Sequence, residues 1–287
     1  MRAAGPNSPS DADRLTATRV AGALGAEIGG LDLRTAPTDD IAAAIRDAFL
    51  EHLVVFFRDQ DLSPAQFLAF AATMGRPVEY PFVAGIPGFP KVIEVAKLEH
   101  ERVNFGGVWH SDTTYLAEPP MGSMLLAREV PPHGGDTIFA NMYLAHDTLS
   151  EGMRAMLLPL RAVSNSAKAD ASKTREDRIR SDGRRDSQDY EAVHPVVRTH
   201  PETGRRSLYV NVAHTIRFDG MTEEESEPLL EYLFRHQVRP EHTCRFRWEV
   251  GSLAFWDNRC TLHNPVNDYQ GFRRRMHRVT LAGDRPR

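Results

Sequence analysis

Residues 108 to 115 read Val-Trp-His-Ser-Asp-Thr-Thr-Tyr, which places an imidazole and a carboxylate two residues apart in a stretch of strand-like composition. In an extended chain, side chains at positions i and i+2 point to the same side, so His110 and Asp112 can converge on one ion. Gly106 allows close backbone approach just before this stretch, and Tyr115 can wall a pocket. The stretch therefore predicts two ligands of a metal site that needs a third.

The best candidate for the third ligand lies far downstream, where residues 256 to 263 read Trp-Asp-Asn-Arg-Cys-Thr-Leu-His and end at His263. One carboxylate and two imidazoles on one face, with the opposite positions open, suit ferrous iron and its oxygen chemistry. We therefore predict that His110, Asp112 and His263 are the metal ligands. Spacing alone leaves other histidines open as the third ligand, among them His133, His194, His200, His214 and His277.

An arginine cluster follows in residues 271 to 278, which read Gly-Phe-Arg-Arg-Arg-Met-His-Arg. Along an extended segment, the side chains of Arg274, Met276, Arg278 and Thr280 share one side. If that side faces inward, two guanidinium groups need two anions, because an unpaired buried charge is strongly unfavourable. The planar fork of arginine suits a carboxylate or a sulfonate. The pattern predicts two acidic ligands beside the metal.

Residues 134 to 137, Gly-Gly-Asp-Thr, carry only part of a phosphate-binding pattern. They lack the lysine and the full glycine spacing of a P-loop, which argues against nucleotide binding. The simpler interpretation is a turn that enters a strand. The hydroxyl of Thr137 can then contact an anion held by Arg274.

Composition excludes several classes of protein. The chain has 287 residues, 41% of them hydrophobic and 26% charged, which is ordinary for a globular protein. A formal net charge of -4 gives no general attraction to nucleic acid or to an anionic membrane. Two cysteines are too few for a disulfide framework. No apolar run approaches the roughly 20 residues of a membrane span, and the start lacks a signal-peptide core, so we expect a cytoplasmic protein.

The chain pattern predicts a mainly β domain with flanking helices. Residues 1 to 13 lack apolar periodicity and predict a disordered tail before one domain over 14 to 287. The first third predicts helix, strand and helix, and short β-rich runs from residue 92 favour a sandwich or barrel. Helical insertions are predicted near 142–157 and 222–235. The polar segment 164–191 predicts a mobile surface loop of the kind that serves as a lid.

Several motifs together resemble the iron- and 2-oxoglutarate-dependent dioxygenases of the taurine dioxygenase and 2,4-dichlorophenoxyacetate dioxygenase group. They are Trp-His-Ser-Asp at 109–112, Val-Pro-Pro-His-Gly-Gly-Asp-Thr at 130–137, His-Pro-Val-Val-Arg-Thr-His-Pro at 194–201, and Trp-Asp-Asn-Arg at 256–259, which leads to His263 and the arginine cluster. The resemblance spans residues 21 to 285 and implies a double-stranded β-helix, or jelly roll.

The same resemblance assigns roles to individual residues. It implies that His110, Asp112 and His263 bind Fe(II). It implies that Thr137 and Arg274 hold the distal carboxylate of 2-oxoglutarate, with dioxygen as the second cosubstrate. Arg278 resembles the arginine that meets an acidic substrate. Dimers or tetramers are common in the resembling family, so a homo-oligomer is also implied.

The substrate pocket departs from that of the taurine enzyme. Tyr80 stands where that enzyme has a histidine that contacts the substrate, and Gly106 stands where it has an asparagine. Ser166 and Ala213 align with its pocket phenylalanines. Smaller residues at such positions imply a roomier cavity that takes a larger sulfonate, sulfate ester or carboxylate. Residues 204–211 and 243–247 also resemble the aryloxyalkanoate dioxygenases of the same group.

The expected reaction is hydroxylation of a small acidic substrate, with formation of succinate and CO2. If the hydroxylated carbon bears the leaving group, sulfite, sulfate or a phenol is released. One alternative is a biosynthetic hydroxylase or desaturase that acts on an amino-acid-like acid at the same iron site. A zinc-dependent hydrolase or a non-catalytic jelly-roll binding module would belong to a different class, and the hydrolase would not need the two inward arginines.

Overall fold

The computed structural model describes residues 15–104, 106–170 and 190–287. The predicted tail at 1–13 and most of the predicted lid lie outside these residues. The strands are Thr16–Arg19 (β1), Ala26–Gly29 (β2), Val54–Phe57 (β3), Pro77–Val78 (β4), Val92–Lys97 (β5), Gly122–Glu129 (β6), Thr137–Asn141 (β7), Arg161–Asn165 (β8), Glu191–Pro195 (β9), Val197–Thr199 (β10), Arg206–Leu208 (β11), Thr215–Phe218 (β12), Thr243–Phe246 (β13), Leu253–Asp257 (β14), Thr261–Pro265 (β15) and Arg274–Leu281 (β16). The α-helices are Asp39–His52 (α1), Pro64–Met74 (α2), Met142–Asp147 (α3), Glu151–Leu157 (α4), Ser166–Asp170 (α5) and Glu223–Gln237 (α6), and a 3-10 helix spans Pro240–His242.

The largest sheet has the strand order β1-β2-β3-β14-β6-β16-β4, and β5 also pairs with β16. Among the described residues, every strand pair of this sheet is antiparallel except β2–β3. A second sheet has the order β13-β7-β15, and two smaller sheets are β12-β8-β9 and β10-β11. Strands that are adjacent in space but distant in sequence are typical of a jelly roll. The predicted mainly β fold with flanking helices is confirmed.

Side chains that alternate along the central strands divide the interior into two layers. Phe57 and Phe255 point towards α1 and α2 and belong to one apolar cluster with residues of both helices. Phe56 and Trp256, one position away, belong to a second cluster with Phe139 of β7. The second cluster therefore fills the space between the large sheet and the β13-β7-β15 sheet.

Local signals set the helix boundaries. In α2, Ser63 accepts a hydrogen bond from the backbone of Gln66, whose side chain accepts one from the backbone N–H of Ser63, as predicted from this capping-box pattern. Thr222 and Glu225 form the same pair at the start of α6. The predicted helix near 142–157 is instead two helices, because Asn141 caps the first and Ser150 caps a second.

The predicted loop at 164–191 is wrong at both ends. Residues 161–165 form β8, which pairs with β9, and α5 follows directly after β8. Ser166 joins the two ends of the segment, because its backbone N–H donates to the carbonyl of Tyr190 and its hydroxyl accepts from the Tyr190 N–H. Within the described residues, no helix is long and apolar enough to cross a membrane.

The Phe49–Phe255 stack gives a test of the helix-facing layer. The two rings stack with centroids 4.0 Å apart, and both side chains are fully buried. We expect Phe255→Ala to lower the free energy of unfolding by about 3–5 kcal/mol, because it leaves a cavity. Phe272→Ala, at a ring 37% exposed, should change it by about 0.5 kcal/mol. Urea unfolding measures both variants, and equal losses would contradict the described layer.

Candidate active site

Two main-chain hydrogen bonds join the distant segments that carry the predicted histidine ligands. The His110 N–H donates to the His263 carbonyl at 3.0 Å, and the His263 N–H donates back to the His110 carbonyl at 2.8 Å. The extended strand expected at 108–115 is wrong, because His110 forms only an isolated bridge and the chain turns at Thr113, where φ is 43°. The bridge, and not local strand geometry, brings the two imidazoles together.

The three predicted metal ligands meet at one point. One ligand atom from each of His110, Asp112 and His263 lies within 4.8 Å of the other two. Both imidazole Nε2 atoms are 3.8 Å from Asp112 Oδ1. All three residues are buried. Two imidazoles and one carboxylate on one face are a donor set that fits a divalent transition metal.

Second contacts orient these ligands. His110 Nδ1 lies 2.7 Å from the Val108 carbonyl, which can only accept, so Nδ1 carries the proton and the Nε2 lone pair faces the centre. Asp112 Oδ2 accepts from the Ser123 hydroxyl at 2.7 Å and pairs with Arg278 Nη2 at 2.8 Å. Because Oδ2 is engaged, Asp112 offers one oxygen to a metal.

Charges around the centre keep the ligands in their metal-binding protonation states. Burial alone would raise the pKa of Asp112, but the Arg278 guanidinium and the hydrogen bond from Ser123 help to hold it well below its usual range. Burial and the neighbouring His110 lower the pKa of His263 well below its ordinary value. Burial also lowers the pKa of His110. Neutral imidazoles and an ionised carboxylate are the forms that bind metals.

The rival histidines have other partners. His194 bonds to the Leu116 carbonyl at 2.9 Å, His200 pairs with Asp257 at 3.0 Å, and His277 accepts from Arg128. His133 is exposed beside Phe272. His214 is the nearest, with its ring 6.1 Å from that of His110, but its Nδ1 lies 2.9 Å from the Thr114 hydroxyl. Of the histidines considered, His263 is the one whose ring nitrogen lies beside those of His110 and Asp112, and its role as the third ligand stays a prediction.

The second potential metal cluster, His200, Asp257 and Cys260, is an ion-pair network. Arg259 contacts both carboxylate oxygens of Asp257, at 2.8 and 2.6 Å, and also Glu202 at 2.6 Å. Glu202 pairs in turn with Arg46 of α1. Sequence reasoning missed this network, although an acid and an arginine two residues apart were visible. Its charges are already satisfied, and it serves to fix the turn that leads to His263.

Arg274 is a buried cation that forms no ion pair with the described residues. Its Nε and Nη2 atoms have no hydrogen-bond partner among the described residues. Its guanidinium lies 5.5 Å from the Trp248 ring. Trp248 Nε1 donates to the Thr137 hydroxyl at 3.0 Å, so Trp248 links Arg274 to Thr137. We call the space bounded by Arg274, Thr137 and Trp248 the anion chamber. Both residues predicted for the 2-oxoglutarate carboxylate border it.

Arg278 differs from Arg274 because it already has an anion, Asp112. Its guanidinium carbon also lies 5.2 Å from the Tyr80 ring centroid. A chain of rings runs from Tyr80 through Phe82 and Tyr115 to His214, with centroids 5.4, 5.7 and 5.0 Å apart. These rings span from Arg278 to the edge of the metal centre, and we call them the aromatic wall.

Sequence reasoning missed Phe82 and Tyr190, which lie 5.5 Å apart. It also missed Ser123, which holds Asp112. Of the other predicted pocket residues, Ser166 bonds to the backbone of Tyr190, whose ring is 6.5 Å from that of Tyr115. Ala213 is buried and precedes His214. Their contact with a substrate stays a prediction.

Gly106 lies against the metal centre. A Cβ atom at this position would fall 2.8 Å from His110 Cε1 and 3.2 Å from its Nε2. The backbone φ of 70° also disfavours a side chain. In this structure, a side chain at position 106 would push against the His110 imidazole, so Gly106 affects the predicted ligand directly, in addition to the larger cavity that the sequence predicted.

A jelly roll with a buried two-histidine, one-carboxylate centre defines a class of non-haem metal enzymes. The family model described as taurine catabolism dioxygenase TauD, TfdA family, matches residues 14–280. The chain belongs to this family of dioxygenases.

The curated relatives match over almost the whole chain. An alpha-ketoglutarate-dependent sulfate ester dioxygenase from Pseudomonas putida is 38% identical over 277 residues, which cover 93% of this chain and 89% of the relative. An alpha-ketoglutarate-dependent 2,4-dichlorophenoxyacetate dioxygenase from Cupriavidus pinatubonensis is 32% identical over 275 residues, which cover 90% and 94%.

Solved structures show the same fold. A taurine dioxygenase from Burkholderia xenovorans has a TM-score of 0.81 and 37% identity, with 95% of this chain and 92% of that chain covered. AAD-2, solved in complex with Mn(II) and N-oxalylglycine, has a TM-score of 0.77 and 28% identity, with 95% and 98% covered.

Gly106→Ala tests the geometry of the metal centre. The added Cβ displaces the His110 imidazole, so we expect the affinity for Mn(II) to fall by about 10- to 100-fold. Gly220→Ala is the matched control, because Gly220 has a φ of 78° and open space around it. That variant introduces the same backbone strain without a clash against a neighbouring side chain. Metal titration measures both variants. Equal Mn(II) affinity in the two would mean that Gly106 does not touch the ligand.

Proposed function

We propose that His110, Asp112 and His263 bind Fe(II), and that the enzyme uses 2-oxoglutarate and dioxygen to hydroxylate a small organic anion. The observation that carries this proposal is the buried Arg274, which has two nitrogen atoms without a hydrogen-bond partner in the described chain. A buried guanidinium in this state calls for an anionic ligand. The distal carboxylate of 2-oxoglutarate supplies that anion.

The residues present fit both groups. His110, Asp112 and His263 would hold the ion from one side, so a bound ferrous ion would have room for the cosubstrate and dioxygen. When bound, the ferrous ion supplies oxygen activation coupled to oxidative decarboxylation of 2-oxoglutarate to succinate and CO2. Asp112 occupies the position that a halide ligand would need, which favours hydroxylation over halogenation. Thr137 and Arg274 orient the cosubstrate, and the buried surroundings exclude water.

The Thr137 hydroxyl has a defined polarity. Because Trp248 Nε1 donates to its oxygen, the hydroxyl proton is free to point into the anion chamber. Thr137 can therefore donate a hydrogen bond to a carboxylate, as Arg274 can. Both groups favour a cosubstrate whose remote end is ionised.

The proposed substrate combines an anionic group with an apolar body. Arg278 supports the anionic end, since its Nε has no hydrogen-bond partner in the part of the chain described. The aromatic wall of Tyr80, Phe82 and Tyr115 supports an apolar or aryl body. The relatives are named for sulfate esters and for a phenoxyacetate, which combine these two features. A sulfate ester, a sulfonate or an aryloxy carboxylate fits this description. Hydroxylation of the carbon that bears the leaving group then releases sulfate, sulfite or a phenol.

A zinc-dependent hydrolase would need a base that activates water, but it would not need the two inward arginines. The buried Arg274, whose Nε and Nη2 have no hydrogen-bond partner among the described residues, therefore favours the dioxygenase. The amino-acid hydroxylase or desaturase shares the iron site, and the choice of substrate separates it from the enzyme proposed here.

A coupled assay tests the reaction. We expect Fe(II), 2-oxoglutarate and air to give succinate in proportion to released sulfate, sulfite or phenol, when alkyl sulfates, alkanesulfonates and aryloxyacetates are screened. Succinate is measured by chromatography. The Asp112→Ala protein and an anaerobic mixture are the controls. Product release that continues without oxygen would contradict the proposal and favour hydrolysis. Succinate formation stimulated only by amino-acid-like acids would favour the biosynthetic alternative.

Arg274→Met tests the anion chamber. Loss of a buried charged partner costs about 2–5 kcal/mol, so we expect the affinity for 2-oxoglutarate to fall at least about 30-fold. Without ligand, the variant should melt no lower than the parent, because an unpaired buried charge has been removed. Arg273→Met is the control, since Arg273 is exposed one residue earlier. Calorimetry with Mn(II) in place of iron measures binding, and unchanged affinity in Arg274→Met would exclude Arg274 from the site.

A further inference from the structure

Lys97 is a second buried cation beside Arg274. It ends strand β5, and the β5–β16 ladder places it directly opposite Arg274. Directly opposed residues of an antiparallel pair point to the same face of the sheet. The pairs Ile93–Arg278, Val95–Met276 and Lys97–Arg274 therefore form one inward row, which runs from the proposed substrate arginine to the proposed cosubstrate arginine.

The Lys97 ammonium is buried without a hydrogen-bond partner. The residue is 3% exposed, and its Nζ has no partner in the described ranges. It lies 4.3 Å from the centroid of the Tyr269 ring, which gives it a cation–π contact. Burial lowers the pKa of Lys97, and the charge of Glu101 opposes that shift. An ammonium has three N–H donors, and a ring face satisfies them poorly.

Tyr269 connects Lys97 to the anion chamber. A Cβ atom placed on Gly135 would lie 3.3 Å from Tyr269 Cδ1 and 3.4 Å from Arg274 Cδ. The Tyr269 ring and the Arg274 side chain therefore both lie against the backbone of Gly135. The positive charge of Arg274 also acts on Tyr269, where it opposes the rise in pKa that burial causes. The ring that Lys97 covers is thus part of the chamber wall.

We propose that Lys97 is a second cosubstrate-binding cation, whose ammonium contacts the distal carboxylate of 2-oxoglutarate together with Arg274. This inference rests on the proposed function. A carboxylate has about four lone-pair sites, which exceed what one guanidinium fork and one hydroxyl supply. Arginine sets the plane of the carboxylate, and a lysine adds a point charge from the side. The register of β5 with β16 places the Lys97 ammonium beside Arg274.

The test separates the distal carboxylate from the rest of the cosubstrate. Wild type and Lys97→Met, which keeps the chain length and removes the charge, are loaded with Mn(II). Calorimetry measures binding of 2-oxoglutarate and of 2-oxobutyrate, which keeps the 2-oxo acid and lacks the second carboxylate. We expect Lys97→Met to weaken 2-oxoglutarate binding by about 10- to 100-fold and to change 2-oxobutyrate binding by less than about 2-fold. Lys97→Arg should recover part of the loss, because it restores the charge.

Two results would overturn the inference. If both acids weaken equally, Lys97 shapes the chamber without contacting the carboxylate. If neither weakens, Lys97 does not reach the chamber. Lys91→Met, one residue before the same strand, controls for general loss of positive charge. A wild-type protein that binds neither acid contradicts the proposed function itself. Arg274-dependent binding of 2-oxoglutarate that persists unchanged in Lys97→Met contradicts only the role of Lys97.

Discussion

The two hydrogen bonds between the main chains of His110 and His263 hold the site together. On its other side, His263 pairs with Phe139 of β7, so the bridge extends the β13-β7-β15 sheet by one residue. The segment that contains His110 has little regular structure of its own, and this sheet fixes it in place. Asp112 then meets Ser123 of the large sheet. The cluster of His110, Asp112 and His263 thus lies where the two sheets of the jelly roll are joined, and its geometry depends on closure of the whole fold.

Sequence predicted the chemistry of the site better than its local shape. The alternation along β16 correctly placed Arg274 and Arg278 on one buried face, because side-chain period follows directly from strand geometry. The turn at Thr113 was not visible, since a positive φ at a non-glycine residue is imposed by tertiary contacts. The pairing of Arg278 with Asp112 was equally hidden, because it depends on which strands become neighbours. Sequence analysis did not identify Lys97 for the same reason. Its position opposite Arg274 depends on the register of the two strands, and neither segment alone determines that register.

Buried charges in this protein fall into two groups. Asp112 with Arg278, and Asp257 with Arg259, are matched within the chain and fix backbone that carries the metal ligands. Arg274 and Lys97 have no carboxylate bonded to them among the described residues. The first group fixes the backbone around the site, although Arg278 keeps an Nε without a hydrogen-bond partner among the described residues and is also proposed to meet the substrate. The second group surrounds the proposed binding place of the cosubstrate acid.

The unpaired charges of Arg274 and Lys97 also affect the stability of the protein before it binds any ligand. Two like charges kept out of water oppose folding until an anion arrives, and a ligand that binds only the native state shifts the folding equilibrium by mass action. On the proposed assignment, the small dicarboxylate consumed in the reaction also acts as a folding aid. Bound cosubstrate then raises the free energy of unfolding as its concentration exceeds the dissociation constant, so the same acid serves both the reaction and the stability of the fold.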